Sequence, residues 1–160
     1  MKPVDQNTTN GNGNAINNTR RAQIKIRIGL AFTLFGFLVF LLGTRPSLFG
    51  LDRSPVIGFV QIGVFLIGLA LMCFGGYISL MTLWWNEKPS ILADIGLRLV
   101  ATGYVIAVFA GMADIFGFGS HPLPEAPYFG GWQTRGVEIG QVIIILGLLF
   151  MVPYRKIHKS

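Results

Sequence analysis

Four long apolar stretches separated by short polar segments limit this chain more than any other feature. They run Ile28–Thr44, Val56–Trp85, Ile91–Ala113 and Val137–Val152. A helix rises about 1.5 Å per residue and a bilayer core is about 30 Å thick, so about 20 apolar residues suffice to cross it. The pattern predicts an all-α, polytopic membrane protein: a four-transmembrane-helix bundle. Charge agrees, because only 12% of the residues are charged, against about 25% in soluble domains. A soluble chain of this composition would expose large apolar patches to water, so lipid is its natural solvent.

Residues 1–23 differ in kind. They are rich in Asn, with Thr and Gly and few apolar side chains. Such a segment cannot bury enough surface to offset chain entropy, which predicts a disordered polar tail. Residues 24–154 form the expected membrane domain and 155–160 a short basic tail. The first apolar stretch has a basic lead like a signal peptide, but Gly43-Thr44-Arg45-Pro46 holds no small-x-small cleavage pattern, so an uncleaved first helix is expected.

The net charge of +6 is concentrated at the ends of the spans. Lys2, Arg20, Arg21, Lys25 and Arg27 precede the first, Lys88 follows the second, and Arg155, Lys156 and Lys159 follow the last. On the opposite side lie Arg45, Arg53 and Arg135, a bias of nine against three, with Arg98 inside a span. Basic residues mark cytoplasmic loops. Both termini are therefore expected in the cytoplasm, with the protein in the plasma (inner) membrane. The bases also suit anionic headgroups. No aromatic interleaving accompanies them, so nucleic acid is not an expected partner.

From Ser54 to Asn86 the chain carries no charge, about 50 Å if wholly helical. One tilted helix could absorb this length. The alternative is a break near Gly75-Gly76, with Ile78–Trp85 along the inner interface. Ser90 is placed to cap the third helix.

Glycine spacing is the second strong pattern. Gly29, Gly36 and Gly43 recur every seven residues, as do Gly68 and Gly75, Gly96 and Gly103, and Gly140 and Gly147. A seven-residue period keeps them on one helix face. Without side chains there, backbones can approach closely where lipid offers no hydrophobic force for association. These glycines are expected to pack helices within the bundle, and an oligomeric contact is the alternative.

Ionisable groups inside a span are functional candidates. Asp94 and Arg98 lie four residues apart with the acid first, the favourable order for a helical ion pair. Arg98 is about 12 Å from Ser90 along the axis, within reach of the inner headgroups by snorkelling. A second polar set, Gln61, Asp114, Arg135, Glu138 and Gln141, falls at the outer ends of the helices. Glu138 is expected in the first turn of its helix. Asp114 is expected at a helix C-terminus, where the dipole calls for a basic partner, with Arg135 the nearest in sequence. Between these helices, Phe116–Thr134 combines glycines and prolines with Phe116, Phe118, Tyr128, Phe129 and Trp132. The expectation is an ordered outer loop folded as a lid on the bundle.

Neither histidine, His121 nor His158, lies in a span, and the only cysteine is Cys73. The sequence has no CxxC, zinc spacing, HExxH, GxSxG or Walker loop. No catalytic residue, cofactor or metal ligand is therefore assigned. The leading expectation is a non-enzymatic accessory or scaffold subunit acting through helix–helix and outer-loop contacts. Its partners would be the lipid bilayer and either other membrane subunits or further copies of itself. The alternative is a small permease or ion-channel component using the outer polar cluster. A third class is a membrane enzyme or redox subunit that borrows its cofactor from a partner.

Overall fold

A computed structural model of the chain describes residues 6–44, 59–84, 88–118 and 130–153. The described residues form four helices: α1, Gln6–Thr44; α2, Phe59–Leu83; α3, Ile91–Gly111; and α4, Gly131–Phe150. Each contains a stretch long and apolar enough to cross a membrane. The chain is an all-α, four-helix membrane protein.

Helix bounds differ from the sequence reading in three places. α1 is helical from Gln6, well ahead of the apolar stretch that starts at Ile28. Once a helix exists, each further residue adds a hydrogen bond without a new nucleation cost. α2 runs unbroken through Gly75-Gly76 to Leu83, about 37 Å of helix, which selects the single helix over the broken one. A break would strand backbone groups where no water can satisfy them. α4 starts six residues before Val137, at Gly131. There the Gln133 Oε1 accepts the Gly130 N–H at 2.7 Å, closing the first turn as in half of a capping box.

At the start of α3, Ser90 caps as expected: its Oγ accepts the Ala93 N–H at 3.2 Å. Past Gly111 the chain makes further turns before it reverses. The Phe118 N–H reaches the Ala113 carbonyl at 2.9 Å, the Gly117 N–H reaches the Asp114 carbonyl at 3.2 Å, and Gly117 has φ of 77°. This is the Schellman arrangement, with glycine at the left-handed position. A Cβ on Gly117 would meet nothing within 4 Å, so its only penalty is backbone strain. Gly117→Ala is expected to lower stability by about 1 kcal/mol, read as a small drop in detergent melting temperature.

The helices assemble as two antiparallel pairs. α1 packs along α2 and α3 along α4, and among the described helices it is α2 that bridges the pairs. Within each pair the heptad glycines face one another. A Cβ on Gly36 would lie 2.9 Å from the Gly68 carbonyl oxygen, and one on Gly68 equally 2.9 Å from that of Gly36. Gly29 and Gly75 are related in the same way, at 2.9 and 2.6 Å. In the second pair Gly103 and Gly140 match at 2.6 Å in both directions, and Gly96 and Gly147 at 2.5 and 2.6 Å. Gly43 lies against the Phe65 backbone. Any side chain at these positions would part the backbones.

Between the pairs the core is made of side chains. Ile62, Phe65, Leu66 and Val137 form one buried cluster; Leu69, Val100, Ala107 and Ile144 form a second. Phe40 of α1 packs against both. At the end where α2 finishes, the Trp84 indole N–H donates to the Met151 carbonyl at 3.0 Å, tying α2 to the end of α4. Two threonine hydroxyls inside the spans turn back on their own helices: Thr33 Oγ1 donates to Gly29 O at 2.9 Å and Thr82 Oγ1 to Ile78 O at 2.7 Å. That satisfies a donor that lipid cannot.

Candidate functional site

Two groupings of polar residues stand out, a cleft at one end of the bundle and a stripe on the outside of α3. The cleft lies at the distal end, where α1 finishes and α2 and α4 begin. It exists because α1 and α4 both lie on α2 without a close backbone approach to each other. The gap between them is an open cleft of about 250 Å³. Phe40, Ile62, Phe65 and Val137 supply apolar walls, and Thr44, Gln61, Thr134, Glu138 and Gln141 supply the polar atoms.

Of the outer set anticipated from sequence, the structure brings Gln61, Glu138 and Gln141 to this one cleft. It leaves Asp114 and Arg135 outside the described lining. Glu138 is the eighth residue of α4 rather than a first-turn residue, because the helix begins at Gly131. The dipole argument, which holds only within the first turn, therefore does not apply to it. Arg135 lies within α4 on an exposed face, whereas Asp114 is 8% exposed and turned into the bundle. The expected Asp114–Arg135 pair does not form, whereas Asp94 and Arg98 do pair. Asp114 Oδ1 is buried without a hydrogen-bond partner among the described residues, as is Nε2 of Gln133. Arg45 and Arg53, the other basic residues considered for this end, lie outside the described residues.

Two polar cleft residues escaped the sequence reading, Thr44 and Thr134. Thr134 had a signal: positions 134, 137, 138 and 141 follow the i, i+3, i+4, i+7 rule for one helix face. Both threonines donate to their own helix turn, Thr44 Oγ1 to Phe40 O at 2.8 Å and Thr134 Oγ1 to Gly130 O at 3.2 Å. Their hydroxyl oxygens remain as acceptors.

On α3, Arg98 Nη2 and Asp94 Oδ2 are 3.0 Å apart, with the side chains 78% and 58% exposed. Thr102, one turn further on, is also exposed, and its Oγ1 donates to the Arg98 carbonyl at 2.8 Å. Asp94, Arg98 and Thr102 form a polar stripe at four-residue spacing. It reaches about 18 Å from Ser90 along the helix. It faces away from the other three helices.

The expected lid falls mostly on residues 119–129, outside the described residues. Its described beginning folds back on α3: the Phe116 ring stacks on Phe109 with centroids 5.7 Å apart, and Phe118 lies 6.1 Å from the same ring. Trp132 is 83% exposed on the first turn of α4. Among the described residues no group of His, Cys, Asp and Glu is arranged to hold a metal ion.

Comparison with known proteins finds no matching family model, no matching curated protein and no matching solved structure.

Proposed function

We propose that this chain is a non-enzymatic accessory or scaffold subunit of a membrane assembly, acting through its helix surfaces and distal loop. The observation that carries the reading is the Asp94–Arg98–Thr102 stripe on the outward face of α3. Charged groups on a lipid-facing surface are costly and normally face protein or water. Polar side chains on a membrane helix instead hold neighbouring helices by hydrogen bonds. A second membrane chain laid along this stripe would supply such partners.

Because the stripe does not touch the bundle core, removing it separates assembly from folding. The double variant Asp94→Leu with Arg98→Leu is expected to keep its own melting temperature within a few degrees. It is also expected to lose the larger particle that wild-type protein forms in mild detergent, measured by native mass spectrometry. A wild-type protein that runs as a monomer, or an assembly unchanged in the double variant, would overturn the reading.

The reading includes the plasma membrane as location and both termini in the cytoplasm, supported by the nine-to-three distribution of Lys and Arg. In a Cys73→Ala background, an impermeant thiol reagent applied to intact cells is expected to label Ser120→Cys and to spare Asn12→Cys and Ser160→Cys. Labelling of either terminal cysteine would reverse the orientation.

A further inference from the structure

We propose that the distal cleft between α1, α2 and α4 binds a small ammonium ion carried on an apolar body. This site is independent of the subunit role, which rests on the outward face of α3, a helix that does not line the cleft.

Volume sets the size of the guest. The cleft holds about 250 Å³, whereas an engineered apolar cavity of roughly 150 Å³ already takes benzene. One ring or a short alkyl body fits, with space left for a polar arm. The walls suit such a body: Phe40 and Phe65 have ring centroids 4.9 Å apart, and Ile62 and Val137 complete the apolar surface.

Charge sets the sign. Glu138 is the one charged side chain among the described lining residues. No ion pair engages it among the described residues. Gln61 and Gln141 add amide oxygens to the same lining. Aromatic faces attract cations as well. The N-terminal ends of α2 and α4 favour anions, but that influence fades within one turn. Glu138 lies two turns into α4, beyond that influence. An ammonium group could therefore make charge-assisted hydrogen bonds to the carboxylate while its apolar body lies against the phenylalanines.

A free organic amine and the amino headgroup of a membrane lipid present the same chemistry, and competition separates them. The experiment is equilibrium dialysis of labelled phenethylammonium and of neutral 2-phenylethanol against the full chain in maltoside micelles, with protein-free micelles subtracted. The ammonium is expected to bind about tenfold more tightly than the alcohol. Glu138→Gln should remove that preference and leave alcohol binding in place. Thr134→Phe, which fills the mouth of the cleft from its exposed rim, should weaken both probes. Melting temperatures near the wild-type value show that both variants are folded. Displacement of the ammonium by added phosphatidylethanolamine assigns the site to a lipid headgroup; unchanged binding assigns it to a soluble amine. Absence of saturable binding, equal binding of the two probes, or a preference that survives Glu138→Gln would overturn the proposal.

Discussion

Gly103→Leu is expected to be the most damaging single substitution in the membrane domain. A Cβ at Gly103 would lie 2.6 Å from the Gly140 carbonyl oxygen and 2.9 Å from the Ile144 amide nitrogen. Both are backbone atoms of a helix whose own hydrogen bonds hold them in place, so no side chain can swing aside. α3 and α4 must separate, and their packing is lost along the whole contact that includes Gly96 and Gly147. Overpacking a well-filled core typically costs about 1–3 kcal/mol; with backbone on both sides, the upper end is expected here. Gly63→Ala is the control. A Cβ there meets nothing within 4 Å and the backbone is helical, so the alanine should raise stability by about 0.5–1 kcal/mol. Thermal melts of the two variants in the same detergent check both signs. Equal melting temperatures would show that the glycine faces do not govern packing.

Leu66→Ala is expected to act on a different joint. Leu66 is 4% exposed, belongs to the cluster with Ile62, Phe65 and Val137, and its carbonyl lies 3.5 Å from the Tyr104 hydroxyl. It therefore stands where α2 meets the second helix pair. Truncating a buried leucine costs about 2–5 kcal/mol, depending on how far the site collapses. The loss should fall between the pairs and leave each pair closed. Two cysteine pairs in a Cys73→Ala background distinguish the cases. Phe32→Cys with Phe74→Cys reports on α1 against α2, where the native rings meet edge to face at 6.0 Å. Gly76→Cys with Leu148→Cys reports on α2 against α4, where a Cβ at Gly76 would sit 3.2 Å from a Leu148 methyl. Cross-linking near the midpoint of denaturation should persist in the first pair and fall in the second. Equal loss of both would mean that the bundle comes apart as a single unit.

These joints were not equally visible in the sequence. The glycine faces were legible because close backbone approach needs the absence of a side chain, and an absence repeated every seven residues leaves a clear trace. Which face meets which was not, since glycines carry nothing that distinguishes one partner from another. Asp114 and Arg135 show a second limit. Nearness in sequence suggested a pair, but Asp114 turns into the bundle after α3 while Arg135 is on the exposed side of α4. Only the rotational setting of each helix decides that. For the cleft, Gln61, Glu138 and Gln141 stood out as polar residues in apolar surroundings. Thr44 and Thr134 did not, because threonines in membrane helices commonly satisfy themselves against their own turn, as these two do. The choice between one long α2 and a broken one needed knowledge of its neighbour: Gly75 is occupied by contact with Gly29 and Thr33 of α1, which leaves it no reason to act as a hinge.

The pairing of α1 with α2 and of α3 with α4 joins helices that are consecutive in the chain, and this bears on biogenesis. Neither glycine contact waits for a distant segment. The first hairpin can close as soon as Leu83 has entered the bilayer, while α3 and α4 are still being synthesised. The second can close on its own helices in turn. The remaining event is the meeting of two finished hairpins through α2, driven by side chains such as Leu66, Leu69 and Val100. Insertion then proceeds in two similar rounds, and the surfaces left exposed between them, not the glycine faces, are those a chaperone or a misdirected neighbour would meet.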